Sequence, residues 1–132
     1  MWVILNDSFL SIVAHPTRKN TLMVRARLRG DIMAVFPRAK IIVGGGTDYE
    51  FRAAIKRSVV EAAMVNEVQR INYTNFKDSV PEQHRHDVYL TIWSTLLRLA
   101  PKRAARPIAD LPFGEYRGGW GASLGVLPTD AE

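Results

Sequence analysis

The sequence predicts an α+β domain in two layers: an antiparallel sheet of about five strands, two amphipathic helices on one face, and a short crossover helix. Three observations predict it. Short runs rich in β-branched and aromatic residues crowd the first 57 residues, and one of them, Thr21 to Arg29, alternates between apolar and basic side chains. Two apolar stripes at helical spacing follow, one from Val60 and one from Tyr89. The chain has 132 residues, a length that buries about two thirds of the surface its unfolded form exposes. One compact domain over residues 1–100, followed by a Pro/Gly-rich tail over 101–132, accounts for it.

Taken in order, Trp2 to Leu5 and Phe9 to Ala14 read as a hairpin, because Asn6-Asp7-Ser8 between them tolerate turn geometry. His15 to Asn20 is a polar connector containing Pro16. In Thr21 to Arg29, Val24, Ala26 and Leu28 fall on one side and Arg25, Arg27 and Arg29 on the other. Asp31 is an expected N-cap for a short helix over Ile32 to Phe36, which Pro37 stops. Ala39 to Val43 reads as a strand, Gly44 to Asp48 as a turn, and Tyr49 to Lys56 as a strand with Tyr49, Phe51, Ala53 and Ile55 facing inward.

Ser58-Val59-Val60-Glu61 has the form of a capping box and predicts a helix from Val59, with Val60, Met64, Val68 and Ile71 along its buried face. After a polar and aromatic connector, Pro81 and Glu82 open a second helix with the stripe Tyr89, Ile92, Trp93, Leu96 and Leu99. The tail holds four of the seven prolines and five of the nine glycines.

Charge separates the segments further. The net charge is +5, yet residues 1–57 alone carry ten Lys/Arg and four Asp/Glu, while residues 58–100 carry four and five and the tail four and four. With no cysteine, disulfides, thiolate metal sites and Cys nucleophiles are excluded. No apolar stretch approaches the ~20 residues that span a bilayer, and Met1 to Leu5 lacks the basic stretch and cleavage site of a secretory signal. A cytoplasmic chain with no membrane partner and no cofactor is the expectation.

The alternation puts Arg25, Arg27 and Arg29 in a row on the sheet face away from the helices, and Arg52 and Lys56 of the last strand join the same face. Five cations on an open face suit an acidic partner, either a nucleic-acid backbone or an acidic protein surface. Five phosphate contacts would give a salt slope near −4.5, or roughly 500-fold weaker binding between 50 and 200 mM salt. No aromatic side chains interleave these cations, so base stacking on single strands lacks a platform.

Acid-base residues crowd at one other place, where His84 and His86 stand near Lys77. Such a set would serve phosphodiester cleavage in a small nuclease. Two residues apart on a helix, however, the imidazoles point about 200° apart, and no third metal ligand stands at a recognisable offset. His15 reads as a structural loop residue. Tyr116, Arg117 and Trp120 in the tail have two readings, a short aromatic docking motif for a partner protein or a segment that folds back on the body.

Met1-Trp2, Leu5 to Val13, Leu22 to Arg27, Asp48 to Ala53, Asn75 to Val80, Arg85-His86-Asp87 and Trp93-Ser94 together resemble a family of small uncharacterised bacterial proteins, over roughly residues 1–99. The resemblance implies a compact domain and transfers no activity. It draws Asn75, Phe76, Lys77, Arg85, His86, Tyr89 and Trp93 together around the helix connector, where they mark either a second surface or, the favoured reading, a clamp on the last helix. By analogy with small proteins of phages and mobile elements, an inhibitor or adaptor of the anti-CRISPR kind is the alternative function. The leading expectation is a non-enzymatic binding module.

Overall fold

The structure is a computed structural model and describes residues 1–100. By its contacts the chain divides into a unit Met1–Thr95 and a unit Leu96–Glu132. The first unit is an α+β fold. Strands β1 (Trp2–Ile4), β2 (Phe9–Ala14), β3 (Thr21–Ala26), β4 (Ile42–Val43) and β5 (Phe51–Lys56) form one antiparallel sheet in the order β1-β2-β3-β5-β4. Helix α1 (Arg29–Val35) lies between β3 and β4, α2 (Arg57–Gln69) follows β5, and α3 (Gln83–Leu96) follows a 3-10 turn over Lys77–Ser79.

The two-residue period of the strands sorts their side chains. Leu10 and Ile12 of β2, Val24 and Ala26 of β3, and Ala53 and Ile55 of β5 point to one face, where Ile32 of α1, Phe36 at its C-terminal cap and Val60 of α2 close over them. Burying side chains of Val, Leu and Ile size contributes about 1.5–3 kcal/mol each. The same period sends Ser11, Met23, Arg25, Arg52 and Ala54 to the opposite face.

Several local expectations are corrected. Strand β3 stops at Ala26, because the backbone turns at Leu28, the N-cap of α1, and Arg29 is the first residue of that helix. Asp31 is therefore inside the helix rather than its cap. Its carboxylate turns inward to accept the Phe9 N–H at 3.0 Å. Only Ile42 and Val43 of the expected Ala39 to Val43 strand pair with β5. Tyr49 precedes β5 and is buried on the arginine side of the sheet, not among the core residues.

Helix α2 begins two residues early, at Arg57, with Lys56 as N-cap and no side-chain cap bond, so the capping box does not form. The Arg57 N–H donates instead to the Asn20 carbonyl at 2.8 Å, which ties the helix start to the β2–β3 turn. The helix rests on β5 and β3 through its first half. Val60 is buried and Met64 half-buried, but Val68 is 67% and Ile71 53% exposed, so the predicted stripe is covered for two turns and then runs into solvent. In α3 Tyr89 is buried and Ile92 half-buried, whereas Trp93 and Leu96 are exposed. No helix among the described residues is long and apolar enough to cross a membrane.

Candidate functional site

The site grows from strand register. Ser11 pairs with Arg25, and Arg25 pairs with Arg52, so three polar residues lie side by side across β2, β3 and β5. Two like charges in direct cross-strand register repel. Three features hold them. Arg25 donates from Nη2 to the Ser11 hydroxyl at 2.8 Å, and Ser11 is buried. The Arg25 guanidinium also lies 4.8 Å from the centre of the Tyr49 ring, with Arg27 at 5.2 Å on the same ring. Cation–π contacts of this kind contribute about 0.5–1 kcal/mol at exposed sites. Arg52 donates from Nη2 to the Thr47 hydroxyl at 2.9 Å and to the Tyr49 carbonyl at 3.1 Å.

Glycines let the 44–50 loop close over this pair. Gly44 and Gly46 have φ of +80° and +63°, the left-handed region where a side chain is strained. Gly45 lies against the Arg52 guanidinium so closely that a Cβ there would overlap it. The triplet expected to form a turn is thus a lid over an arginine. What remains unmet is informative: the Nε–H groups of Arg25 and Arg52 are buried without a hydrogen-bond partner, and neither guanidinium has a carboxylate within ion-pair distance among the described residues.

The five predicted cations are therefore not one exposed row. Arg25 and Arg52 share the face and are half-buried; Arg27, past the end of β3, is exposed and bridges to Asp48 at 3.1 Å. Lys56 is exposed at the far end of β5, in register with Thr21. Arg29 leaves the row because α1 begins there. Beside these arginines the same face carries exposed apolar side chains, Trp2, Val13 and Ile42.

A second polar cluster, which sequence reading grouped but did not resolve, fixes α3. Arg85 donates from Nη2 to Asp31 Oδ1 at 2.7 Å and from Nη1 to Asp31 Oδ2 at 3.3 Å, and both side chains are nearly buried. Arg85 Nη1 also donates to the Tyr89 hydroxyl at 3.2 Å, which in turn donates to the Ser8 carbonyl at 3.1 Å. Burial alone would lower the Arg85 pKa, but the hydrogen bonds and charge of Asp31, with Tyr89, outweigh it and hold it above its ordinary value. Burial pushes the Tyr89 phenol up, and the nearby guanidinium only partly offsets this. Phe76 stacks on Tyr89 at 6.0 Å, and Asn6 donates to the Ser79 carbonyl at 3.3 Å. These contacts are what a clamp on the last helix requires. Its signal in sequence was the lone Arg85 one helical turn before a core tyrosine.

The residues of the nuclease alternative occupy different settings. His84 is exposed and lines a groove with Trp2, Leu28 and Val88. His86 is half-buried with Nδ1 3.5 Å from Asp87 Oδ1, and the Lys77 ammonium lies 4.4 Å from the Trp93 ring centre. His15 serves its loop, its Nδ1 accepting the N–H groups of Thr17 and Arg18 at 3.2 and 3.1 Å. Tyr116, Arg117 and Trp120 lie outside the described residues. Among the described residues no three His, Asp or Glu side chains are placed to hold one metal ion. No protein-family model, curated protein or solved structure matches this chain at significance.

Proposed function

We propose that this protein is a non-enzymatic binding module that holds an anionic partner against the arginine face of its sheet. The observation that carries the reading is the register pairing of Arg25 with Arg52, two neighbouring arginines that have no carboxylate within ion-pair distance among the described residues and a buried Nε–H without a partner on each. Such a pair is costly by itself and gains when a phosphate or carboxylate lies across it. Arg27 extends the pair at one edge, and the charge excess of residues 1–57 favours approach of a negative partner.

Affinity capture from the native cell at low and high salt, with nuclease treatment in parallel, tests it. A salt-sensitive partner is expected, and its loss on nuclease treatment identifies it as a nucleic acid rather than an acidic protein. Captured partners that are indifferent to salt, and equally well held when Arg25 and Arg27 are changed to Gln, would support the inhibitor or adaptor reading instead. That reading draws on the exposed Val65 and Val68 of α2 and Ile71 just beyond it.

A further inference from the structure

The sheet has an unpaired edge with a groove beside it. Strand β5 runs to Lys56, but β4 pairs only with its first two residues, Phe51 and Arg52. The Gly44 N–H donates to the Glu50 carbonyl at 3.0 Å, so the backbone groups of Glu50 face the β4 side. By alternation the N–H and C=O of Ala54 and the N–H of Lys56 face that side too, where β4 no longer reaches; the Lys56 carbonyl, at the N-cap of α2, belongs to the helix. Next to this edge lies a groove of about 460 Å³, walled by Phe36, Ile55, Val59 and Ala63. Arg38, Lys40 and Lys56 line the same groove; all three are exposed, none is in an ion pair among the described residues, and no carboxylate lines it.

We propose that this groove is a second binding site, one that takes an extended, acidic peptide segment by strand addition along Ala54–Lys56. The strand edge supplies main-chain hydrogen bonds, the apolar wall receives alternate side chains of the peptide, and the three cations meet the carboxylates between them. Backbone bonding requires an extended chain with free N–H groups, and charge complementarity selects one that alternates apolar and acidic residues. The site stands apart from the arginine face except for Lys56, so either can fail without the other.

The test uses the full chain and a fluorescent hexapeptide alternating valine and aspartate, followed by anisotropy and by amide hydrogen exchange. Saturable binding is expected, with new exchange protection at the Ala54 and Lys56 amides. Changing Arg38 and Lys40 together to Glu should weaken binding about tenfold, while changing Arg25 and Arg27 to Gln should leave it intact. A peptide of the same sequence N-methylated at alternate residues should not bind. Equal binding of the methylated peptide, binding without protection at Ala54 and Lys56, or no saturable binding would overturn the proposal. So would loss of duplex DNA binding, rather than peptide binding, in the Arg38 and Lys40 variant. In any of those cases the cations only keep the strand edge solvated.

Discussion

Asp31 and Arg85, 54 residues apart in sequence, meet through both carboxylate oxygens and both terminal guanidinium nitrogens, with side chains only 5% and 12% exposed. This pair joins α1 to α3, and Asp31 reaches on to the Phe9 N–H at the start of β2. Arg85→Met leaves a buried carboxylate without its counter-charge, so urea unfolding should show a loss of about 3–5 kcal/mol. Adding Asp31→Asn should recover part of that loss, because the amide oxygen still accepts the Phe9 N–H and the buried charge is gone. A double variant less stable than the single one would contradict this.

The raised pKa of Tyr89 makes stability depend on alkaline pH. The folded state holds the phenol proton more tightly than the unfolded state, whose tyrosine ionises near 10. The contribution is therefore complete below about pH 10 and is lost as pH rises through the higher folded value. Melting curves at stepped pH should show wild type falling more steeply above pH 10 than Tyr89→Phe. The variant itself should cost about 1 kcal/mol near neutrality, since the buried Ser8 carbonyl loses one of its two donors and keeps only the Leu5 N–H. Parallel declines above pH 10 would rule the linkage out.

Two glycines should respond oppositely to alanine. A methyl group at Gly45 meets the Arg52 guanidinium, so Gly45→Ala should push that side chain off Thr47 and Tyr49 and cost about 1 kcal/mol. Gly30 sits in the first turn of α1 with open space around it, and Gly30→Ala should stabilise by about 0.5–1 kcal/mol. Urea midpoints measure both, and the Arg52 Nε–H resonance reports whether the side chain has moved.

The strands were legible because period-two alternation reports a half-buried sheet directly, and it placed Val24 and Ala26 inward and Arg25 outward as found. Alternation is blind to what ends a strand. Arg29 was assigned to the row because nothing local shows that Asp31 is drawn inward by Arg85, a partner supplied from α3. The cap expected at Ser58 failed for a similar reason, since the Asn20 carbonyl bonds Arg57 first. Helical stripes say which face is apolar but not how far a sheet extends beneath it, hence the exposed Val68 and Ile71. The cover over the arginines was hidden because Gly44 to Gly46 reads as a plain turn unless the guanidinium it lies on is seen.

The salt dependence of binding tests the arginine face most directly. With a random-sequence DNA duplex and with polyglutamate as separate probes, dissociation constants between 50 and 200 mM salt should identify the anion the face prefers. Three contacts, from Arg25, Arg27 and Arg52, give a slope of about −2.7 on duplex DNA and roughly 40-fold weaker binding across that range. Changing Arg25 and Arg27 to Gln, with the fold checked by circular dichroism, should flatten the slope to about −0.9. Failure of both probes to bind, or a slope that the two substitutions leave unchanged, would contradict the account.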